Sequence, residues 1–223
     1  MAARYGREVK TIGHAWSEFR AKRSPRILAA GVVLVAAGRI ALGAWSWRDA
    51  AAAAAMLAIY PFGEWAIHLY LLHLRPFRLR GRTVELPTAA SHRQHHENPA
   101  SLGLILLGLS EALALLLLAV PAVVAAFAGL AALLPGALPL APLVTAVLTG
   151  YALVLAYEWT HFLIHTAYRP RSRYYRSIWR NHRLHHFKNE RHWHGITNTA
   201  ADRLLGTHPD QRDVPRSPTA RTL

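Results

Sequence analysis

Cysteine is absent from this 223-residue chain, and acidic residues are scarce. The absence of cysteine excludes disulfides, thiolate metal sites and cysteine nucleophiles. Only 12 acidic residues oppose 26 lysines and arginines, so the formal net charge is +14, which in a soluble protein would suggest nucleic-acid binding. Long stretches lack charge altogether, however, and the basic residues collect in residues 1–26, in the 75–93 loop and after Tyr168. This distribution favours a membrane protein and argues against a nucleic-acid partner.

Four apolar segments are long enough to cross a bilayer, since a transmembrane helix needs about 20 apolar residues. The predicted spans cover about 27–47, 50–74, 102–134 and 141–168. Pro121 is expected to kink the third span, and a split at Pro121 into shorter re-entrant helices is an open alternative. The sequence "PGALPLAP" at Pro135–Pro142 is the expected turn before the fourth span.

The predicted fold class is therefore an all-α integral membrane protein with about four transmembrane helices. Four spans put both termini and the 75–100 loop on one side, and the basic residues concentrated there place that side in the cytoplasm. Residues 75–100 and 169–208 would form a cytosolic, histidine-rich helical cap. No signal-peptide pattern precedes the first span. The membrane would be the plasma membrane of a bacterium or the endoplasmic reticulum of a eukaryote.

The two ends of the chain differ from the spans in composition. Residues 1–26 are basic, and Val9, Ile12, Trp16 and Phe19 recur in them at helical spacing. This segment is predicted to be an amphipathic helix that lies on the membrane surface or packs on the cap; both interpretations are open. Residues 209–223 are rich in Arg, Pro, Ser and Thr and are expected to be disordered.

Ten of the fourteen histidines fall into four short patterned sets, all predicted to lie at the cytoplasmic ends of the spans or in the cap. Coincidence is a poor explanation for four such sets at one face, so we predict that all ten are metal ligands. The sets are His68 and His73; His92, His95 and His96; His161 and His165; and His182, His185 and His186.

The spacing of these sets indicates two metal ions. Residues three or four apart share a helix face, whereas adjacent residues diverge by about 100°. Each H-x-x-H-H triple can therefore supply ligands to two neighbouring ions, with four or five nitrogens for each ion. His68 and His73 would splay by about 140° on a regular α-helix, which indicates either two metals or a helix distorted before Pro76.

Carboxylates near these histidines are candidates for orienting them, because ligating imidazoles usually donate their second N–H to a carboxylate or carbonyl. Glu64 lies one turn before His68, and Glu158 shares the face of His161. Glu111 receives no role. The remaining histidines, which we interpret as interfacial or hydrogen-bonded residues, are His14, His192, His194 and His208.

The motifs resemble those of the fatty acid hydroxylase and sterol desaturase superfamily, most closely its fatty acid 2-hydroxylase branch. The resemblance covers roughly Pro61 to Pro209, within a predicted membrane domain of residues 27–208. The matching stretches are "EWAIHLYLLH" (Glu64–His73), "HRQHHENP" (His92–Pro99), "YEWTHFLIH" (Tyr157–His165) and "HRLHHFKNERHWHGITNTAADRLLGT" (His182–Thr207). His194 stands where an aromatic residue is expected, which leaves open whether it is an extra ligand.

The resemblance implies a histidine-bound dimetal centre with two iron ions, where zinc could replace iron in purified samples. It also implies O2 as co-substrate and hydroxylation of a membrane lipid, most simply at a fatty acyl chain. Electrons would come from a separate donor, such as cytochrome b5, a ferredoxin or a reductase. No catalytic residue is expected apart from the metal centre.

Other functions for the same histidines must be weighed. A sterol or carotenoid oxygenase or desaturase would use the same centre on another lipid. A metal transporter would place ligands near the bilayer midplane rather than at one face. A zinc hydrolase of membrane lipids would need no O2. A carboxylate-bridged di-iron bundle needs paired Glu-x-x-His motifs, and here Glu158–His161 stands alone.

Overall fold

The computed structural model describes residues 4–133 and 139–223, apart from a few side chains near the end of α6, and these residues are mostly helical. Residues 135–138 of the predicted turn at Pro135–Pro142 lie outside the described residues, and residues 140–142 belong to the helix that follows. The α-helices are, in chain order, α1 (Ile12–Ala21), α2 (Arg23–Leu42), α3 (Trp47–Ala66), α4 (Pro87–Glu97), α5 (Leu109–Ala114), α6 (Val120–Ala132), α7 (Leu140–Ile164), α8 (Arg173–Phe187) and α9 (Ala200–Leu204).

Wider π-helical turns extend or join some of these helices. Ile67–Leu72 continues α3, and Leu115–Ala119 joins α5 to α6. Short 3₁₀ turns occupy Gly6–Glu8 and Gln211–Asp213.

Within the described ranges, four helical stretches are long and apolar enough to cross a membrane, which confirms the prediction of four candidate spans. They are Arg23–Leu42, Trp47–Leu72, Leu109–Ala126 and Leu140–Ile164. The third begins later than position 102, because residues 102–108 form turns. Glu111, which received no role from the sequence, caps α5: its carboxylate accepts a hydrogen bond of 2.5 Å from the Gly108 amide.

The described residues of 20–60 and 107–159 form one compact unit, which we call the apolar unit. Its interior is built from two small clusters, and many large side chains outside them are exposed, among them Val33, Leu34 and Leu117. Exposed apolar surface of this kind suits contact with lipid. The clusters are Leu28, Leu116, Val120 and Tyr151, and Ala52, Met56, Val124 and Ala146.

A π-helical turn lies beside Pro121, the position where the sequence predicts a kink. A proline removes one backbone N–H and clashes with the carbonyl four residues earlier in a regular α-helix. The π-helical turn Leu115–Ala119 lies directly before this position and widens the helix there. The hydroxyl of Tyr151 donates a hydrogen bond to the Leu116 carbonyl in that turn.

A buried ion pair lies within the apolar unit. Arg39, the one charged residue inside the first predicted span, is fully buried, and its Nη2 lies 2.6 Å from Asp49 Oδ1. The Thr145 hydroxyl donates to the same oxygen at 2.7 Å, and the Gly43 carbonyl accepts from Arg39 Nη1 at 2.6 Å. The guanidinium is thus surrounded by acceptors, which is what a buried charge requires.

The second compact unit contains residues 4–19, 61–106 and 160–223, and we call it the histidine unit. At its start, Val9 and Phe19 are buried, whereas Ile12 and Trp16 are 51% and 53% exposed. The four apolar residues grouped by helical spacing therefore do not share one environment. The Phe19 ring packs 5.7 Å from that of Phe162, between centroids.

Gly6 is the point where the N-terminal segment is fixed in the histidine unit. Its amide donates to the Ala100 carbonyl at 2.8 Å, and its carbonyl accepts from the Ala167 amide at 2.9 Å. A Cβ at this position would overlap the carbonyl oxygen of His165. Only glycine therefore allows this close approach.

A small antiparallel hairpin, formed by β1 (Phe77–Leu79) and β2 (Arg82–Val84), departs from the all-α prediction. Arg80 and Gly81 form its turn with φ of 49° and 77°. Two consecutive positive φ angles are what a tight hairpin turn requires, and glycine adopts them without strain. The sequence "LRGRT" carries only half of the usual turn pattern, because arginine rather than Asn or Asp precedes the glycine.

We expect the Arg39–Asp49 pair to behave as one unit. Arg39→Leu and Asp49→Leu should each lower the melting temperature of the protein in detergent, because each leaves one buried polar partner unpaired. The double variant should recover most of the loss. Fluorescence-monitored melting of all four proteins measures this, and a double variant less stable than either single variant would contradict the expectation.

Candidate metal centre

Two groups of five histidines converge inside the histidine unit. Within each group, one ring nitrogen from every member lies within 4.8 Å of the corresponding nitrogens of the others. His73 and His165 are half-buried, and the other eight are buried. Group A contains His68, His73, His92, His96 and His185, and group B contains His95, His161, His165, His182 and His186.

Each H-x-x-H-H motif divides its adjacent histidines between the two groups. In α4, His95 belongs to group B and His96 to group A; in α8, His185 belongs to group A and His186 to group B. The helical angle of about 100° between adjacent residues produces this division. The groups are neighbours, because the ring centroids of His96 and His186 are 4.1 Å apart.

A π-helical turn brings His68 and His73 into the same group. On a regular α-helix, residues five apart would diverge, but here Ile67–Leu72 follows the wider i to i+5 pattern. The ring centroids of His68 and His73 lie 5.0 Å apart as a result. Of the two explanations that the spacing left open, the distorted helix is the one found in the structure.

Backbone carbonyls fix the tautomers of three of the five histidines in group A. The Nδ1 atoms of His68, His96 and His185 lie 2.6, 3.0 and 2.8 Å from the carbonyl oxygens of His194, Ala220 and His192, respectively. A carbonyl only accepts, so each Nδ1 carries the proton and each Nε2 keeps a lone pair.

The lone-pair nitrogens of group A have no hydrogen-bond partner of their own. All five Nε2 atoms of this group are buried and unpartnered among the described residues. Five unpartnered ring nitrogens in one small volume, three of them fixed as acceptors, would be costly in a protein interior. A bound cation removes that cost, so the donor set fits a metal ion.

Group B shows the same convergence at closer range. His182 Nε2 lies 2.9 Å from His165 Nε2 and 3.0 Å from His186 Nε2. Nitrogens bound to one ion at roughly 2.0–2.1 Å would be about 3 Å apart at right angles, so the spacing suits shared coordination.

Burial keeps the cap histidines neutral. Desolvation, reinforced by neighbouring imidazoles, lowers the pKa of His95, His182 and His186 well below the usual value. Desolvation likewise lowers the pKa of His96 to about 4. Metal binding requires deprotonated imidazole nitrogens, so the rings are in the right protonation state before an ion arrives. Nitrogen-only donor sets suit iron, zinc, copper and nickel.

Glu64 anchors the loop after α8. Its carboxylate accepts hydrogen bonds from the Ile196 and Thr197 amides and from the Thr197 hydroxyl. That loop carries the His194 carbonyl, which holds the His68 ring. Glu64 thus acts on His68 through the backbone of this loop.

Glu158 makes its contacts in the apolar unit. Its fully buried carboxylate accepts from the Ser24 hydroxyl at 3.1 Å and from the Leu107 amide at 3.2 Å. That Glu158 orients His161 stays a prediction.

The C-terminal residues, which composition predicted to be disordered, make specific contacts with the centre. The Ala220 carbonyl accepts from His96, and Arg221 donates back from Nε to the His96 carbonyl at 2.8 Å. Glu190 accepts from the hydroxyls of Ser217 and Thr219 at 3.1 and 2.6 Å. We call residues 214–221 the C-terminal strap. The prediction of disorder rests on polar composition alone. Composition gives no information about the hydrogen bonds that backbone and hydroxyl groups of this segment form with buried residues.

Four histidines lie outside the two groups. His14 is exposed and lies 3.6 Å from Glu18, while His208 Nε2 lies 2.9 Å from the Asn181 amide nitrogen. His192 contributes its carbonyl to His185. His194 is fully buried beside group A.

Asp202 is a buried residue to which the sequence analysis assigns no role. It accepts from the His194 and Gly195 amides at 2.9 and 2.7 Å and from the Thr207 hydroxyl at 2.6 Å. The signal available was its place in "DRLLGT", which carried part of the family resemblance. The backbone carbonyls that hold the group A histidines leave no such signal in the sequence, because every residue has a backbone carbonyl.

Comparisons with known proteins agree with this geometry. The family model described as fatty acid hydroxylase matches residues 53–207. A solved structure of full-length scs7p, in which only the hydroxylase domain is visible, is 20% identical with a TM-score of 0.63, and the match covers 86% of this chain and 68% of that chain. At this identity the likeness shows the fold. A comparison with curated protein sequences found no match.

We expect His185→Ala and His186→Ala to affect different ions. The two residues are adjacent on α8 but belong to groups A and B, respectively. Each variant should lose one of two ions under a competing chelator, and the double variant should lose both. Elemental analysis of the detergent-purified proteins measures this, with the exposed His14→Ala as control. Retention of both ions by either single variant would contradict the two-group arrangement.

The C-terminal strap should tighten metal binding through His96. Arg221→Ala removes the hydrogen bonds to the His96 and Glu97 carbonyls and should weaken retention of one ion by roughly 10–100-fold, the usual effect of losing a group that orients a ligand. Chelator competition followed by elemental analysis measures this. The exposed Arg216→Ala, on the same segment, is the matched control, and equal retention by both variants would show that the strap does not support the centre.

Proposed function

Because this chain belongs to the fatty acid hydroxylase family, we propose that it is a membrane-bound, O2-dependent oxygenase that hydroxylates a C–H bond of a lipid. The fatty acyl chain is the favoured substrate, consistent with the 2-hydroxylase branch and with the hydroxylase domain of scs7p. The overall reaction consumes the C–H bond, O2, two electrons and two protons, and yields the alcohol and water.

The observation that carries this proposal is the pair of five-nitrogen groups. We propose that the ten histidines hold two iron ions, one in each group, and that zinc can occupy the same ligands in purified protein. When bound, the two irons supply the O2-dependent oxidation that no side chain of this protein can perform.

The protein's own residues prepare and protect this site. The carbonyls of residues 192, 194 and 220 hold protons on Nδ1 and so direct the lone pairs of group A inward. Burial of eight of the ten rings excludes water, which limits side reactions. Glu64 positions His68 through the loop after α8, and Glu158 is proposed to support the fourth span near His161.

The membrane setting suits a lipid substrate. The candidate spans expose large apolar side chains, including Leu34 and Leu118, and an acyl chain in the bilayer can approach along such surfaces. We propose that both termini and the metal centre lie in the cytoplasm, where a separate donor such as cytochrome b5, a ferredoxin or a reductase delivers electrons. The arginines of the hairpin region, at positions 75, 78, 80 and 82, would face lipid headgroups.

Sterol and carotenoid oxygenation remains the second candidate, because the ligand set does not select the lipid. Transport is disfavoured because the ligands converge in two compact groups rather than following a path across the membrane. Hydrolysis is disfavoured by five nitrogen donors in each group, since catalytic zinc usually has three protein ligands and an open position.

Isotope labelling tests the proposed reaction directly. Cells that express the protein are grown under 16O2 or 18O2, and their lipids are compared by mass spectrometry with those of cells expressing the His185→Ala variant. We expect a lipid heavier by one oxygen, labelled from O2 and missing in the variant. A new double bond would indicate a desaturase, and no O2-dependent change with a competent electron donor present would contradict the proposal.

A further inference from the structure

His194 is a fully buried histidine outside both groups, and its side chain is unexplained by the ten-ligand centre. It lies in the loop that follows α8 and is 0% exposed. Neither of its ring nitrogens has a hydrogen-bond partner among the described residues. Nδ1 has a carboxylate oxygen 3.6 Å away, but Nε2 faces no such group, and native interiors rarely keep a buried ring nitrogen without a partner. The side chain therefore calls for a ligand.

The position of the ring points to group A. Its centroid lies 5.5 Å from that of His68 and 5.3 Å from that of His185. These distances are only slightly longer than the 5.0 Å between His68 and His73, two members of group A. His194 also touches the group through its backbone, because its carbonyl accepts from His68 Nδ1.

A fixed carboxylate stands behind the ring. Asp202 Oδ1 lies 3.6 Å from His194 Nδ1, and both residues are buried. Amide donors from His194 and Gly195 and the hydroxyl of Thr207 hold this carboxylate in place. Histidines that bind metals commonly present their second nitrogen to a carboxylate in this way. The arrangement leaves Nε2 as the nitrogen for an ion.

We propose that His194 is a sixth nitrogen donor to the ion held by group A, with Asp202 orienting its ring. This inference rests on the metal centre of the proposed function. It makes the two ions unequal: group A would have six nitrogen donors, whereas group B would have five and room for a further ligand. The aromatic residue expected at this position could not supply an imidazole nitrogen, so the sixth nitrogen donor is a property of this chain.

Cobalt substitution tests the role of His194 without relying on activity. The full chain is purified in detergent, stripped of metal and loaded with Co2+, whose visible absorption responds to the number of donors. His194→Phe and the smaller His194→Asn are compared with Arg191→Phe and Arg191→Asn, which change an exposed side chain in the same loop. Melting of the metal-free proteins is measured first, so that lost folding is not mistaken for a lost ligand.

We expect the His194 variants to melt like the wild type without metal and to bind two Co2+ ions. The absorption of one ion should increase in intensity as it loses a donor, and a chelator should release that ion at least about tenfold faster. The Arg191 variants should match the wild type in both measurements. An unchanged spectrum and release rate in the His194 variants would overturn the proposal, as would variants that unfold without metal, since these would assign the ring a packing role. Failure of the wild type to bind any Co2+ would instead contradict the proposed function.

Discussion

The structure depends on holding ten imidazole lone pairs in two small buried volumes. A neutral imidazole has one nitrogen that accepts and one that donates, so a lone pair can face the centre only if the proton is held on the far nitrogen. Backbone carbonyls perform this task for three of the rings, at His192, His194 and Ala220. Loop backbone is thus as much a part of the centre as the histidine side chains are.

Helix geometry supplies the other half of the arrangement. A turn of about 3.6 residues places adjacent histidines on different faces, so α4 and α8 each serve both groups. The same geometry would separate His68 from His73, and the chain overcomes this with a π-helical turn at the end of α3. A second π-helical turn, before Pro121, widens the third span where proline cannot be accommodated in a regular helix. The π-helical turn before Pro121 thus accommodates a proline, and the one at the end of α3 brings two ligands together.

The two compact units treat polar groups differently. The apolar unit buries one arginine and satisfies it completely with Asp49, Thr145 and Gly43. The histidine unit instead leaves many buried nitrogens without partners among the described residues. Unpaired polar groups in a protein interior lower the stability of the fold. Because so many unpaired nitrogens converge in two groups, we infer that bound metal ions pair with them. Membership of the fatty acid hydroxylase family agrees with that inference.

The sequence by itself determined the four candidate spans and the two-faced H-x-x-H-H motifs, because hydropathy and helical spacing are periodic properties that can be counted along a chain. It also singled out the ten histidines that the structure brings together. Only the tertiary structure decided that His68 and His73 share a group, that Glu64 acts through a loop, that the C-terminal strap holds His96 and that Asp202 stands behind His194. Most of these contacts join residues more than 100 positions apart or involve backbone atoms, which all residues share. The pairing of His68 with His73 follows from a local change of helix type. None of them leaves a periodic pattern in the sequence, so only folding reveals them.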